Sequence, residues 1–386
     1  MAALEGGKGP VAAFGLPAAH KSHIAAALSL KHTTLLVTAT ETAAVKACED
    51  ALALGAEAAL FLPRETPLVH MCAVSPERAA KRIGTLARLS GSERLLVCAS
   101  MAALMQRLAP PEAFMEGIWR VQVGDTMEPR QLLEALTRAG YERVELIEGR
   151  GQVAARGDLV DVFAPQAVNP VRIEFFGDQI DQMRSFDPTS QRALEQLESV
   201  LLPPALETPQ PAERMQKALA AIAGKTGFFA QEQDWAEGRA TPGADVLLPL
   251  LFDEAATLLD YLPADALILL DETQRLDEAA RTEETRFFEQ VSAMLERGEG
   301  APEQGRLLIG ARESLQGLAG PKTAQLYTLL RGHNAFPAAD VAQFAARSAP
   351  QYLGSAAELA LDLKRWKQGG EAVLLYAGER ADSLRE

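Results

Sequence analysis

Residues Gly15-Leu16-Pro17-Ala18-Ala19-His20-Lys21-Ser22 have the register of a Walker A phosphate loop, G-x-x-x-x-G-K-S, with His20 where the second glycine belongs. An intact loop of this kind holds nucleotide phosphates on inward-pointing backbone N–H groups, with the lysine on the outer phosphates and the serine on Mg²⁺. The second glycine matters because a Cβ there obstructs close approach of backbone to phosphate. Leu267–Leu270 followed by Asp271-Glu272 has the form of a Walker B strand. In a motor, such an aspartate helps hold Mg²⁺ and the glutamate acts on the attacking water. Together the two patterns point to a nucleotide loop that has lost its function. A chance match in a helix-capping loop and a surviving nucleotide site are the alternatives. A second candidate, Gly224-Lys225-Thr226, has Leu219 in place of the first glycine and follows a helical pattern, so it is read as coincidence.

A different chemistry is written between Gly151 and Phe186. In Val171-Arg172-Ile173-Glu174-Phe175-Phe176 the period of two puts Val171, Ile173 and Phe175 on a core face and Arg172, Glu174 and Phe176 on the other. A large aromatic beside an arginine is the combination favoured at protein interfaces. Gly177-Asp178 suits a type II′ hairpin turn. Two readings stay open from pattern alone. Phe176 and Arg172 form a docking face, or Phe176 packs under a loop while Arg172 pairs with Glu174 or Asp178.

The surrounding elements must position these residues. Thr34–Thr38 and Arg94–Ala99 read as buried parallel strands, with helices at Glu41–Leu54 and Ser75–Leu89 between them; the apolar run Val11–Phe14 precedes the loop and a helix at Ile24–Leu30 follows it. The last of these opens on Ser75-Pro76, an N-cap with Pro at N1. After a helix at Pro129–Ala139 the chain becomes strand-rich until Pro203-Pro204. Helix and strand then alternate again: a helix near Ala212–Ala223, the strand Leu267–Leu270, a charged helix near Glu272–Arg297 and a strand candidate at Arg306–Ile309. Ala335–Pro350 reads as a linker. Leu353–Glu386 adds a helix (Ser355–Lys367), a Gly-Gly turn, a strand (Ala372–Tyr376) and the start of another helix, with Trp366 as a core residue of a truncated domain. One βα unit cannot bury its own faces.

The 386 residues call for more than one core. Hydrophobic content of 48% and charged content of 23% are those of a globular protein. No apolar run reaches the ~20 residues needed to span a bilayer, and the N-terminus lacks signal-peptide form, so a cytoplasmic protein is expected. A net charge of −14 without a basic cluster argues against wrapping DNA with these residues. Cys48, Cys72 and Cys98 lack the spacing of a zinc site or disulfide framework and read as buried thiols. His20, His23 and His32 lack the partners of a metal site.

ARGDLVDVFAP, PVRIEFFGDQIDQMRSFDPTSQR and the later LLP-PALE resemble the module shared by UvrB and the transcription-repair coupling factor (Mfd) family. LPRETPLVHMCAVSPERAAKRIGTLARL and LLDYLPADALILLDE resemble the two halves of that family's first domain. UvrB keeps an intact phosphate loop and an aromatic-rich hairpin that clamps damaged DNA. Here His20 breaks the loop, and no Tyr, Phe or Trp lies between Phe61 and Arg94, which removes the stacking residues such a clamp needs.

The resemblance implies an α/β fold in several parts. Residues 1–117 and 206–332 would form the two halves of a degenerate P-loop, helicase-like parallel-sheet domain, interrupted by an inserted α+β UvrB-like docking module at 118–205. A linker at 333–350 and the beginning of a truncated α/β domain at 351–386 would follow. It also implies that Arg156, Arg172 and Phe176 contact UvrA. Gly15, His20, Lys21, Ser22, Asp271 and Glu272 would be the nucleotide-loop remnant, and neither ATP, Mg²⁺ nor any other cofactor is expected to be used by these residues. RNA polymerase and double-stranded DNA would be engaged through C-terminal domains, where ATP and Mg²⁺ drive translocation, and the C-terminal end could fold back to mask the module. Alternatives are a UvrB-like excision-nuclease subunit and a nucleotide-binding regulator using the remnant loop.

Overall fold

The computed structural model describes residues 6, 8–65, 75–91, 93–224, 233, 235, 237, 240, 243–329, 336–348, 350, 352, 355–373 and 375. Cys72, Lys225, Thr226 and part of the aromatic-free stretch before Arg94 lie outside them.

The chain begins with β1 (Val11–Phe14), α1 (Ala18–Ser29), β2 (Thr34–Thr38), α2 (Glu41–Ala53), β3 (Ala58–Phe61), α3 (Pro76–Ser90) and β4 (Leu96–Ser100). The helix starts follow local chemistry: Thr40 accepts from the Ala43 N–H and Ser75 from the Arg78 N–H, with Pro76 at N1. β5 (Trp119–Gln122), α4 (Pro129–Arg138) and β6 to β11 then build a second sheet. Its strands are β6 (Glu142–Arg143), β7 (Gln152–Arg156), β8 (Leu159–Phe163), β9 (Val171–Phe176), β10 (Gln179–Phe186) and β11 (Ala193–Leu197). The returning β12 (Ser199–Leu202) pairs antiparallel with β5, Trp119 opposite Leu202, so the segments entering and leaving this region form a two-stranded neck. Then come α5 (Ala212–Ile222), β13 (Leu267–Asp271), α6 (Thr273–Glu296), α7 (Ala311–Leu318), β14 (Thr323–Tyr327), β15 (Asp340–Gln343) and α8 (Ala356–Gln368).

The first sheet is parallel, in the order β15-β1-β14-β13-β2-β4-β3. Its central strands are buried on both faces and mostly apolar, with Gln325 on β14 the polar exception in mid-strand. On β2, Leu35 and Val37 enter one core and Leu36 the other; on β4, Val97 and Ala99 oppose Leu96 and Cys98. The second sheet buries one face under α4, where Val160, Val162, Val171, Ile173, Phe175 and Met183 pack against Leu132 and Leu136; on the other face Ala154 and Phe163 are buried with Ile147 and Phe186 is covered, and the rest stays open.

Several expectations are corrected. Arg306–Ile309 is no strand: it is the end of a 3-10 turn and an extended stretch touching Gln106 by an isolated bridge. The strand that completes this part of the sheet is Thr323–Tyr327. Ala335–Pro350 is not wholly irregular, because Asp340–Gln343 pairs with β1 as the sheet's edge. Residues 371–373 and 375 form no strand, and Leu374 and Tyr376 lie outside the described residues. α8 has no buried residue, and Trp366 is only half-buried.

The neck is rooted in a buried ion network. Arg82, fully buried, donates through Nε and Nη2 to both oxygens of Glu207 at 2.5 and 2.6 Å and lies over the Phe61 ring at 4.1 Å. Arg64 donates through Nη1 to Glu207 at 3.3 Å and to Asp245 at 3.1 Å. Burial opposes ionisation of Glu207, but the two guanidinium groups outweigh it and hold its carboxyl below the usual glutamate range. A pKa lowered by folding gives stability that is full above about pH 4.5, the ordinary glutamate value, and is lost as pH falls through the folded-state value. Glu207→Ala should cost about 3–5 kcal/mol in urea unfolding at neutral pH, because it strands the buried Arg82 and takes one of the two carboxylates of Arg64. Glu207→Gln should also flatten the loss of stability below pH 4.5 relative to the parent protein.

Candidate functional site

The two groups of residues singled out by sequence lie on separate sheets. At the C-terminal ends of β1 and β13, Lys21 meets Asp271 and Glu272. Its buried Nζ donates to Asp271 Oδ1 at 2.5 Å and to Glu272 Oε1 at 2.7 Å. Glu272 adopts φ 55°, an uncommon conformation for a residue with a side chain. Its carboxylate also accepts the Thr328 N–H at 2.8 Å. Burial opposes its ionisation, but the bonds from Lys21 and Thr328 hold its carboxyl below the usual range.

The loop itself has no open cradle. α1 begins at Ala18, three residues before Lys21, and the His20 and Lys21 N–H groups both donate to Pro17 O. The Gly15 and Leu16 N–H groups donate to Thr328 O and Tyr327 O. Gly15 has φ +81°, and a Cβ there would collide with the Phe344 carbonyl just beyond β15. This glycine therefore serves a crossing of two backbones. Ser22 Oγ turns to Asp50 at 3.3 Å, away from Asp271. His20 and His23 sit on α1, and among the described residues no cluster of His, Cys, Asp and Glu is suited to hold a metal ion.

Arg156, Arg172 and Phe176 share the open face of the second sheet. Register places Arg156 opposite Leu159, Leu159 opposite Glu174, and Glu174 opposite Gln182. The next row holds Ala154, Asp161, Arg172 and Arg184. Phe176, two residues beyond Glu174 on β9, is 82% exposed, so it does not pack under a loop. Gly177 has φ 67° while Asp178 stays out of the positive region, as a type II′ turn requires. Arg172 pairs with neither Glu174 nor Asp178. It makes a two-pronged bond to Asp161, Nε to Oδ1 and Nη2 to Oδ2, both 2.7 Å. Gln191 accepts from Nη2 at 3.3 Å, and the guanidinium covers the Phe186 ring at 4.7 Å. Arg156 is exposed and donates to the Glu145 carbonyl at 2.8 Å.

Sequence reasoning missed Asp161, Phe186 and Gln191. The alternation Leu159-Val160-Asp161-Val162 marks Asp161 as outward, but only the β8–β9 register sets it against Arg172. Gln191, at φ 58°, is delivered by the loop around Asp187, whose carboxylate takes the Thr189 and Ser190 N–H groups.

A six-stranded sheet backed by one helix, with an arginine-and-aromatic face left open, is the architecture of an interaction domain. Residues 119–207 match the family model described as the UvrB interaction domain. The chain is 34% identical over 319 residues to the transcription-repair-coupling factor of Myxococcus xanthus, covering 76% of this chain and 26% of that protein. It is 30% identical over 247 residues to that of Bacillus subtilis, covering 59% and 21%, and 31% identical over 213 residues to that of Haemophilus influenzae, covering 54% and 18%. The chain belongs to the transcription-repair-coupling factor family, and its matches span about a fifth to a quarter of these relatives' lengths.

Two outward residues of this face differ in what they hold in place. Arg172→Ala should lower unfolding stability by about 1–3 kcal/mol, since Asp161 loses its donors and Phe186 its cover. Phe176→Ala should change it by less than about 0.5 kcal/mol in the same urea titration, because an exposed ring leaves no cavity.

Proposed function

We propose that this chain is the UvrA-recruiting part of a transcription-repair coupling factor, a protein of transcription-coupled nucleotide excision repair. The observation that carries the proposal is Phe176, a large ring 82% exposed on a sheet face that also presents Arg156 and Arg172, within the segment matching the UvrB interaction domain. A monomer gains nothing by holding a phenylalanine in water on a rigid strand; buried in a partner pocket it becomes an anchor. Phe176→Ala should weaken binding of purified UvrA at least tenfold in a calorimetric titration, since truncating such an anchor commonly costs ~2 kcal/mol or more. Unchanged affinity would overturn the assignment. Displacement of stalled RNA polymerase and ATP-driven movement on double-stranded DNA are proposed for the whole family protein, through domains C-terminal to these residues. Masking of the docking face by that C-terminal end is proposed with them.

The parallel-sheet part is proposed to descend from a P-loop domain into which the docking module was inserted, and to act without nucleotide. Lys21 already bonds two carboxylates, and the Gly15, Leu16, His20 and Lys21 N–H groups of the loop are bonded within the protein. These contacts count against a nucleotide-binding regulator. Mg-ATP should therefore give no thermal shift, and His20→Gly should not restore one. Ligand at a hundred times its Kd would add ~2.7 kcal/mol, an easily measured upward shift.

A further inference from the structure

The arginines of the open sheet face are held in different electrostatic states. Of Arg156, Arg172 and Arg184, the last two have carboxylate partners, Asp161 and Glu174 respectively, while Arg156 has none among the described residues. Arg172 is also immobilised. Asp161 takes the Nε and Nη2 edge, Gln191 takes a further Nη2 hydrogen, and Phe186 covers one face of the plane. Only Nη1 has no partner among the described residues. A partner carboxylate cannot grip this guanidinium by its usual fork, because those donors are taken. It would also meet Asp161, whose charge already balances the arginine. The two N–H groups of Nη1 remain, and they suit uncharged acceptors such as carbonyl or amide oxygens. Arg156, exposed and uncompensated, suits a carboxylate.

Resting on the UvrA-docking reading above, we propose that Asp161 is a positioning residue. It converts Arg172 from a mobile charge into a fixed, neutralised donor acting through Nη1 alone, so that UvrA offers uncharged oxygen to Arg172 and a carboxylate to Arg156. The division has an energetic logic. A pre-ordered donor loses little side-chain freedom on binding, whereas an exposed charge steers approach and is screened by salt.

Calorimetric titration of purified UvrA into the whole chain, at low and high salt, tests this. Asp161→Asn should weaken binding about tenfold, because one donor of the amide now faces a guanidinium N–H. That loss should vanish in the Arg172→Ala background, as a double-mutant cycle requires of residues acting through one another. The loss from Arg156→Ala should shrink as salt rises, and the loss from Arg172→Ala should not. Wild-type affinity in Asp161→Asn, a loss undiminished without Arg172, or a salt-dependent Arg172 contribution would each overturn the proposal. Should Asp161→Asn not fold by near-UV circular dichroism, Gln191→Gly loosens the same guanidinium while suiting the left-handed backbone there, and should weaken binding severalfold; unchanged affinity overturns the proposal equally. Phe176→Ala is run beside these variants: if it binds as wild type, the docking face itself is wrong, and if it alone weakens binding, only the role of Asp161 falls.

Discussion

The carboxylate of Glu207 joins parts of the chain that are far apart in sequence. It is reached by Arg82 on α3 and by Arg64 after β3, and Arg64 in turn reaches Asp245 beyond α5. Gln106 bonds both the N–H and the C=O of Arg64 and accepts from Arg82, so the arginines are held by more than the carboxylate. Removing three charges from water is costly unless each finds geometry as close as this. The resulting constraint is positional. Glu207 is the last residue of the segment matching the UvrB interaction domain, so the module's exit is fixed to the parallel sheet it left near Trp119. Leu206, one residue earlier, packs against Gly140, where a Cβ would lie 2.6 Å from its Cγ.

Lys21 shows the same economy at a second buried charge. A lysine held for phosphate needs an open cavity and an anion. Here two carboxylates supply the anion and α1 has wound through the loop. Glu272 accepts a strained backbone to take part, of a kind that costs of order 1–3 kcal/mol and persists only where surroundings enforce it. Lys21, Asp271 and Glu272 thereby tie α1, β13 and the chain after β14 together.

Much of the fold was legible because most elements announce themselves locally. The Ser75-Pro76 start, the apolar runs of β2, β4 and β13, and the alternation of β9 all formed where their patterns put them. The failures have physical causes. Thr323–Tyr327 was hidden because Gln325 interrupts it, and that amide is buried only because Phe336 and Tyr327 satisfy it. Arg306–Ile309 misled because a short apolar run reads alike in a strand and in a buried turn. Asp340–Gln343 is an edge strand held by backbone bonds to β1, with side chains mostly in water, so no hydrophobic signal marks it. At the docking face, alternation was enough to set Arg172 and Phe176 outward. The partner of Arg172 depends on register across a seven-residue connection, which a single sequence does not encode locally.

The neck formed by β5 and β12 has a consequence for how such a module travels between proteins. Because Trp119 lies opposite Leu202, entry and exit are one strand spacing apart, and a host needs only a gap of that width to accept the whole unit. Its core closes on itself through α4 and its own sheet. What a new host must supply is small: a surface hydrophobic enough to seat the neck, and two arginines ready for one glutamate.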